Sequence, residues 1–125
     1  MKVFLGGTWA NSTWRDKLIP MLDIDYFNPV VDDWDEEAQE EEIKQRENCD
    51  YCLYTITKEM EGVYSIAEVV DDSNKRPEKT IFCLLSDGFS KPQLKSLMQV
   101  GKMVKENGGL FLQSLNEVAY VLNDE

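Results

Sequence analysis

Short apolar runs alternate along this chain with segments whose apolar residues recur every three to four positions. The apolar runs predict strands at residues 2–7, 25–29, 51–56, 80–85 and 110–113. The helical spacings predict helices at residues 12–22, within 30–48 after a loop, and at 62–72, 91–107 and 114–123. Because strands that alternate with helices are joined by right-handed crossovers, they lie parallel in one sheet that is covered on both faces. We therefore predict one α/β domain over residues 1–125, with a five-stranded parallel sheet.

The helix predicted at residues 62–72 places a carboxylate, Glu68, between the apolar residues Ala67 and Val69. Four apolar residues recur there at helical spacing and predict the buried stripe: Val63, Ile66, Ala67 and Val70. At about 100° per residue, Glu68 falls on the flank of that stripe, beside Glu61 and Tyr64. Such a flank is usually solvated, so only the position of this helix in the fold favours a function for Glu68. At the first helix, the pattern predicts Asn11 or Ser12 as the cap.

The charge of the chain excludes several classes of partner. Its 125 residues carry 13 Lys and Arg against 24 Asp and Glu, a net charge of −11. Nucleic acid polymers and anionic membrane surfaces would be repelled, although a single nucleoside is not excluded. The first residues lack a signal-length apolar segment, and no later stretch is long enough to span a bilayer. We therefore expect a cytoplasmic protein.

The residue types also restrict the chemistry. Since the chain has no histidine, nucleophiles activated by histidine are excluded, and acid and base catalysis falls mainly to Asp, Glu, Tyr and Lys. Cys49 and Cys52 form a C-x-x-C without a second pair, which we interpret as core packing rather than a zinc site. Gly6 and Gly7 follow the first strand, but G-x-G-x-x-G is absent. We expect neither a dinucleotide cofactor nor any other.

The acidic run that contains Asp32, Asp33 and Asp35 invites a metal-binding interpretation. Carboxylates in the first turns of a helix, however, complement the helix dipole and remain solvated. We therefore predict no metal site. Trp34 interrupts these charges and is predicted to anchor the segment or to form a wall for a planar ligand.

Ligands of such parallel sheets bind beyond the carboxyl ends of the strands, where the strand order reverses. Three segments are expected to meet at this crevice: residues 6–9, 28–34 and 57–68. Glycines would allow a ligand to approach the backbone closely, and Thr8 offers a hydrogen-bond donor. A tight turn without a ligand is the alternative for the glycines. The helix that carries Glu68 begins at the same crevice, which makes Glu68 a candidate nucleophile or acid.

Several stretches, in their order and spacing, resemble the nucleoside 2-deoxyribosyltransferase family, in particular its small bacterial and phage-type branch. They are KVFLGGTW, WR, FNPVV, W, CDYCLYTIT and MEGVYSIAEVV, within residues 2–72. The resemblance implies a flavodoxin-like (Rossmann-like) fold. It also implies an enzyme that cleaves the N-glycosidic bond of a 2'-deoxynucleoside and transfers the sugar to another base through a covalent ester on a glutamate. The position of that glutamate relative to Asp50 corresponds to Glu68 in this chain.

The resemblance implies further roles. Many family members orient the nucleophile with a tyrosine in the first strand, where this chain has Phe4, so Tyr64 is the predicted replacement. They also bind the sugar hydroxyls with an aspartate six residues before the nucleophile, where this chain has Gly62 next to Glu61. The remaining expected ligand contacts are Gly6, Gly7 and Thr8 on the sugar side, and Asn28, Asp33, Trp34 and Glu42 on the base side.

Family members assemble so that a neighbouring chain completes each site, which implies a homo-oligomer, at least a dimer. Two alternative functions stay open. One is an N-glycoside hydrolase that acts on a 2'-deoxynucleoside 5'-monophosphate, and the other is a module that binds or sequesters a nucleotide without turnover. The retained Glu68 argues against the second alternative, whereas Phe4 and Gly62 favour it.

Overall fold

The computed structural model describes residues 1–9 and 11–124. Within these residues, five strands form one parallel sheet: β1 (Lys2–Gly7), β2 (Asp25–Phe27), β3 (Tyr51–Ile56), β4 (Thr80–Leu84) and β5 (Leu110–Leu112). The α-helices are α1 (Trp14–Leu18), α2 (Glu36–Asn48), α3 (Tyr64–Lys75), α4 (Lys91–Glu106) and α5 (Leu115–Asn123). The strand order β2-β1-β3-β4-β5 is that of flavodoxin-like folds. It confirms the predicted α/β architecture.

The sheet separates two apolar clusters, because successive side chains of a strand point to opposite faces. Val3, Leu5 and Leu53 pack on one face with α1 and α5, whereas Phe4, Cys52 and Tyr54 pack on the other face with α3 and α4. Both faces of the central strands are therefore covered, which explains why these strands read as continuous apolar runs.

The first and third helices begin later than the sequence predicts. α1 starts at Trp14, with Thr13 at the cap position, so that neither Asn11 nor Ser12 caps it. It passes into a 3-10 turn at Ile19–Met21 because Pro20 has no amide hydrogen to continue the helix. α3 starts at Tyr64 rather than Gly62 and continues to Lys75. The cap predictions for α1 were therefore wrong.

The cysteines are free and buried: Cys49, Cys52 and Cys83. Cys49 lies at the end of α2 and Cys52 in β3, and both belong to the same apolar cluster. Burial raises the pKa of the Cys52 thiol to about 12. The prediction that this C-x-x-C packs in the core is confirmed. Of the helices that the structure describes, none has both the length and the apolar character needed to cross a membrane.

The carboxyl ends of β1 and β3 are joined through Gly7 and Thr8. The amide of Thr8 donates to the Thr55 carbonyl at 2.9 Å, and the amide of Thr57 donates to the Thr8 hydroxyl at 3.0 Å. Gly7 has a φ of 119°, and a Cβ there would overlap the Thr55 carbonyl and lie 2.6 Å from the Thr55 nitrogen. Only glycine allows the backbones of the two strands to approach each other this closely.

Gly7→Ala should therefore destabilise the protein by about 3 kcal/mol, because it combines a clash with backbone with an unfavourable φ. Gly62→Ala is the matched control, since a Cβ there meets nothing within 4 Å, and its effect should stay within about 0.5 kcal/mol. Urea denaturation followed by circular dichroism measures both variants. Equal stability of the two would contradict this account of Gly7.

Candidate active site

A cavity of about 500 Å³ opens at the carboxyl ends of β1 and β3, where the strand order reverses. This is the position that parallel α/β folds commonly use for ligands. The residues that line it come from the end of β1, from Trp34 and α2, and from the segment that leads into α3: Gly7, Thr8, Trp9, Trp34, Gln39, Glu42, Met60, Glu61, Gly62, Tyr64, Ser65 and Glu68. The cavity therefore joins parts of the three segments that the sequence predicted would meet.

Three residues predicted to contact substrate lie outside this lining. The Cα of Gly6 faces the apolar cluster, since a Cβ there would lie 2.8 Å from side-chain atoms of Phe4 and Tyr54. Asn28 is exposed, and its side-chain oxygen accepts from the Val30 amide at 3.1 Å in a local turn. Asp33 lies with Asn28 in a separate depression against α2. The structure thus removes Gly6, Asn28 and Asp33 from the cavity wall.

The other predicted residues line the cavity, with Glu68 the most buried carboxylate among them. Glu68 is only 6% exposed, and its Oε2 lies 3.6 Å from Nη1 of Arg46. Burial raises the pKa of Glu68 to about 7, with the charges of Glu42 and Asp72 acting in the same direction and that of Arg46 opposing them. Glu68 thus changes its charge near neutral pH.

The buried face of α3 differs from the predicted stripe. Val63 is 67% exposed and Ala67 is exposed, whereas Glu68 and Val69 are buried. The reason is that α3 packs a mixed face inward, on which polar groups find partners on other elements. Asp72, which is fully buried, is one of these. Glu68 is therefore buried, although its position on the flank of the stripe would by itself favour a solvated side chain.

Tyr64 does not orient Glu68. It lines the cavity, but it is 54% exposed, and no hydrogen bond joins its hydroxyl to Glu68 in the described part of the chain. Phe4 is fully buried against Phe27 and Tyr54 and has no hydroxyl to donate. The charged group that pairs with the Glu68 carboxylate is instead the guanidinium of Arg46.

The helix α2 contributes the second carboxylate of the cavity. Asp35 caps it by accepting from the Ala38 amide at 2.8 Å, which explains one acid of the acidic run. Glu42 and Arg46, four residues apart, share its buried face. The indole of Trp34 donates a hydrogen bond to Glu42. Burial raises the pKa of Glu42, and the Trp34 hydrogen bond with the nearby cations opposes that shift.

No group of three or more His, Cys, Asp and Glu side chains in residues 1–9 and 11–124 is arranged to hold a metal ion. A family model described as nucleoside 2-deoxyribosyltransferase like matches residues 1–87. The chain belongs to the nucleoside 2-deoxyribosyltransferase-like family. Comparisons with curated proteins and with solved structures gave no significant match. The matched segment runs from β1 through β4 and contains every lining residue of the cavity.

This family member also carries two arginines at the site whose roles the sequence did not reveal. Arg15 is buried under the end of β1, where Nη1 donates to the Thr8 carbonyl at 2.7 Å and Nε donates to the Leu5 carbonyl at 3.0 Å. Burial lowers its pKa to about 10. Its place between Trp14 and Leu18, which both face the core, is a signal that could have identified it as buried. For Arg46 the signal was its spacing of four residues from Glu42.

The raised pKa of Glu68 has a consequence for stability. A carboxyl with a higher pKa in the folded state stabilises the fold fully below its unfolded pKa, here 4.5, and loses that contribution as the pH rises through about 7. The side chain in Glu68→Gln does not titrate. The free energy of unfolding of this variant, relative to that of the wild type, should therefore increase by on the order of 2 kcal/mol between pH 5 and pH 8.

Chemical denaturation at both pH values measures this difference. The control is Glu40→Gln, which changes an exposed carboxylate of α2 and should leave the difference between pH 5 and pH 8 as it is in the wild type. A Glu68→Gln variant that follows the wild type at both pH values would show that Glu68 titrates as an ordinary carboxyl.

Proposed function

We propose that this protein is an enzyme that cleaves the N-glycosidic bond of a 2'-deoxynucleoside and transfers the sugar to another base through Glu68. One observation carries the proposal: the buried Glu68 carboxylate lines a cavity at the switch point of the sheet, beside a guanidinium. A carboxylate in this setting is suited to stabilise the positive charge that develops on a sugar ring and then to bond with it. Membership in the family supports the same reaction class.

In the proposed first step, a carboxylate oxygen of Glu68 forms a bond with C1' of the sugar while the bond between C1' and the base nitrogen breaks. The base leaves with the bonding electron pair and takes up a proton, for which Glu42 is the candidate donor. In the second step, a nitrogen of the acceptor base attacks C1', the ester bond breaks, and Glu68 is again a free carboxylate. The acceptor releases its proton in return. Two displacements give net retention at C1'.

The other lining residues fit the two halves of a nucleoside. Gly7 and Thr8 lie at the end of β1 and are proposed to face the sugar, with Glu61 beside Gly62 available to its hydroxyls. The ring of Trp34, which is held by Glu42, is proposed to stack on the base. Tyr64 is proposed to contact the ligand as part of the cavity wall. No cofactor takes part in this scheme.

We also propose that the protein works as a homo-oligomer. Tyr64, which lines the cavity, is 54% exposed, and its neighbour in the chain, Val63, is 67% exposed. A second copy packed over them would remove apolar surface from water and exclude water from the glycosyl ester, which would favour transfer over hydrolysis.

The covalent step predicts an adduct. When the protein is mixed with a deoxynucleoside and then denatured, mass spectrometry should find a deoxyribosyl group on the peptide that contains Glu68, and a second base should discharge it as a new nucleoside. Glu68→Gln should lose the adduct and lower turnover by about three orders of magnitude, because the nucleophile is gone. Glu40→Gln, an exposed carboxylate outside the cavity lining, is the control and should behave like the wild type.

The same experiment separates the alternatives. A hydrolase would form the adduct and release free sugar or sugar phosphate whether or not a base is added. A sequestering module would bind the nucleoside without any adduct. Wild-type turnover by Glu68→Gln on a substrate that the native protein converts would contradict the proposed role of Glu68.

The charge of the cavity predicts a preference for the free nucleoside over its 5'-monophosphate. Three carboxylates belong to the lining, Glu42, Glu61 and Glu68, and among the lining residues in the described chain none is Lys or Arg. A phosphate would add negative charge to this site, so kcat/KM for the 5'-monophosphate should be lower by about tenfold or more. Added salt should bring the two kcat/KM values closer together, since it screens exposed charges. A preference for the monophosphate would support the hydrolase alternative instead.

A further inference from the structure

The guanidinium of Arg46 has one nitrogen directed at Glu68 and two nitrogens engaged elsewhere. Its Nε donates to Asp72 Oδ2 at 3.2 Å, and its Nη2 donates to Asp72 Oδ1 and to Asp71 Oδ2, each at 3.0 Å. Its Nη1 lies 3.6 Å from Glu68 Oε2, which is an ion-pair distance. Because a guanidinium is planar and rigid, two anchored nitrogens determine where the third one points.

The anchor of this arrangement is Asp72, one helical turn after Glu68 on α3. Its side chain is fully buried, and it also accepts hydrogen bonds from the hydroxyl of Tyr54 and from the guanidinium of Arg76. Tyr54 in turn lies in β3, packed against Phe4. The position of Arg46 is thus tied to the central strands of the sheet and not to α2 alone.

Burying charged residues on α2 is costly unless they serve as partners for other charges. The buried residues of α2 are Glu42 and Arg46, while its apolar Ile43 is 45% exposed. An ordinary amphipathic helix would bury Ile43 and expose the charges. This inversion indicates that α2 packs on the domain through charged residues at the site rather than through an apolar face.

We infer that Arg46 is the positioning residue of Glu68: its guanidinium, held by Asp72 and Asp71, holds the Glu68 carboxylate in the cavity and favours its charged form. This inference rests on the proposed nucleophilic role of Glu68 and assigns to Arg46 the task that Phe4 and Tyr64 do not perform. Arg46 acts through Glu68 and touches no substrate.

The charge balance around Glu68 determines the sign of the expected effect. The titratable groups that act on it are Glu42 and Arg46 from α2 and Asp72 from its own helix, and the cavity wall adds Glu61 and Tyr64. Arg46 is the one cation in this set. Its removal should therefore raise the pKa of Glu68 by about one unit or more, since only carboxylates and a phenol remain.

Arg46→Gln and Arg46→Lys test the inference by activity. With a deoxynucleoside and a free acceptor base, Arg46→Gln should lower kcat by about a hundredfold with a KM changed by less than about threefold, because the lost interaction acts on the nucleophile and not on the bound ligand. The acid limb of the pH profile of kcat/KM should move to higher pH. Arg46→Lys keeps the charge without the planar guanidinium. Its kcat should be about tenfold higher than that of Arg46→Gln, and the acid limb of its pH profile should return part of the way to the wild type.

The matched control is Lys44→Gln, which removes an exposed cation from the same helix outside the cavity lining and should leave kcat and the pH profile unchanged. A merely structural Arg46 would lower stability, but kcat per folded molecule and the pH profile would stay as in the wild type. That result would overturn the inference. If Arg46→Gln does not fold, Arg46→Lys is the test. A wild-type kcat and pH profile in Arg46→Lys would also overturn the inference that the planar guanidinium positions Glu68.

A second measurement does not depend on turnover. Carboxyl ¹³C NMR of glutamate-labelled protein, with Glu68→Gln to assign the signal, gives the titration midpoint of Glu68 directly. The midpoint should rise in Arg46→Gln and return toward the wild type in Arg46→Lys. If no deoxynucleoside is converted but the midpoint moves as described, the proposed function fails while the coupling of Arg46 to Glu68 stands. An unmoved midpoint would refute the coupling whatever the activity.

Discussion

The arrangement of this molecule depends on one electrostatic constraint: a carboxylate, Glu68, is buried at the cavity beyond the carboxyl ends of the central strands. Isolated burial of a charged carboxylate costs several kcal/mol, so a cation must accompany it. Arg46 is that cation, and its own burial requires the carboxylate of Asp72, which Tyr54 and Arg76 then satisfy. Each buried charge thus requires the next one, and the chain of partners joins α2, α3 and β3.

The same constraint explains features that otherwise look unfavourable. The helix α2 is mostly charged, yet it docks on the domain through Glu42 and Arg46. The helix α3 buries Glu68, whereas Val63, which precedes its first turn, is exposed to solvent. In an apolar core both choices would lower stability, but here they place two carboxylates in the lining of one cavity, with the guanidinium of Arg46 paired with Glu68. Local conflicts of this kind are expected where function and stability compete.

The backbone contributes the opposite wall by a different means. Gly7 allows β1 to cross close to β3, and the buried guanidinium of Arg15 satisfies the carbonyls at the end of β1 without the help of a neighbouring strand. The cavity thus lies between the backbone at the end of β1 and side chains that include the carboxylates of Glu42 and Glu68. For a reaction that develops positive charge on a sugar, such a fixed set of carboxylates requires little rearrangement on the way to the transition state.

The sequence by itself determined the architecture. Apolar runs of strand length that alternate with helical spacings led to a five-stranded parallel sheet, because both patterns arise from local backbone geometry. The resemblance in the order of motifs placed Glu68 and most of the lining, including Thr8, Trp34 and Glu42. Only the tertiary structure decided that Arg46 and not Tyr64 accompanies Glu68, and that Gly6, Asn28 and Asp33 lie elsewhere. The physical reason is that hydropathy assigns charged residues to the surface, whereas their burial here is compensated by partners more than twenty residues away in the chain.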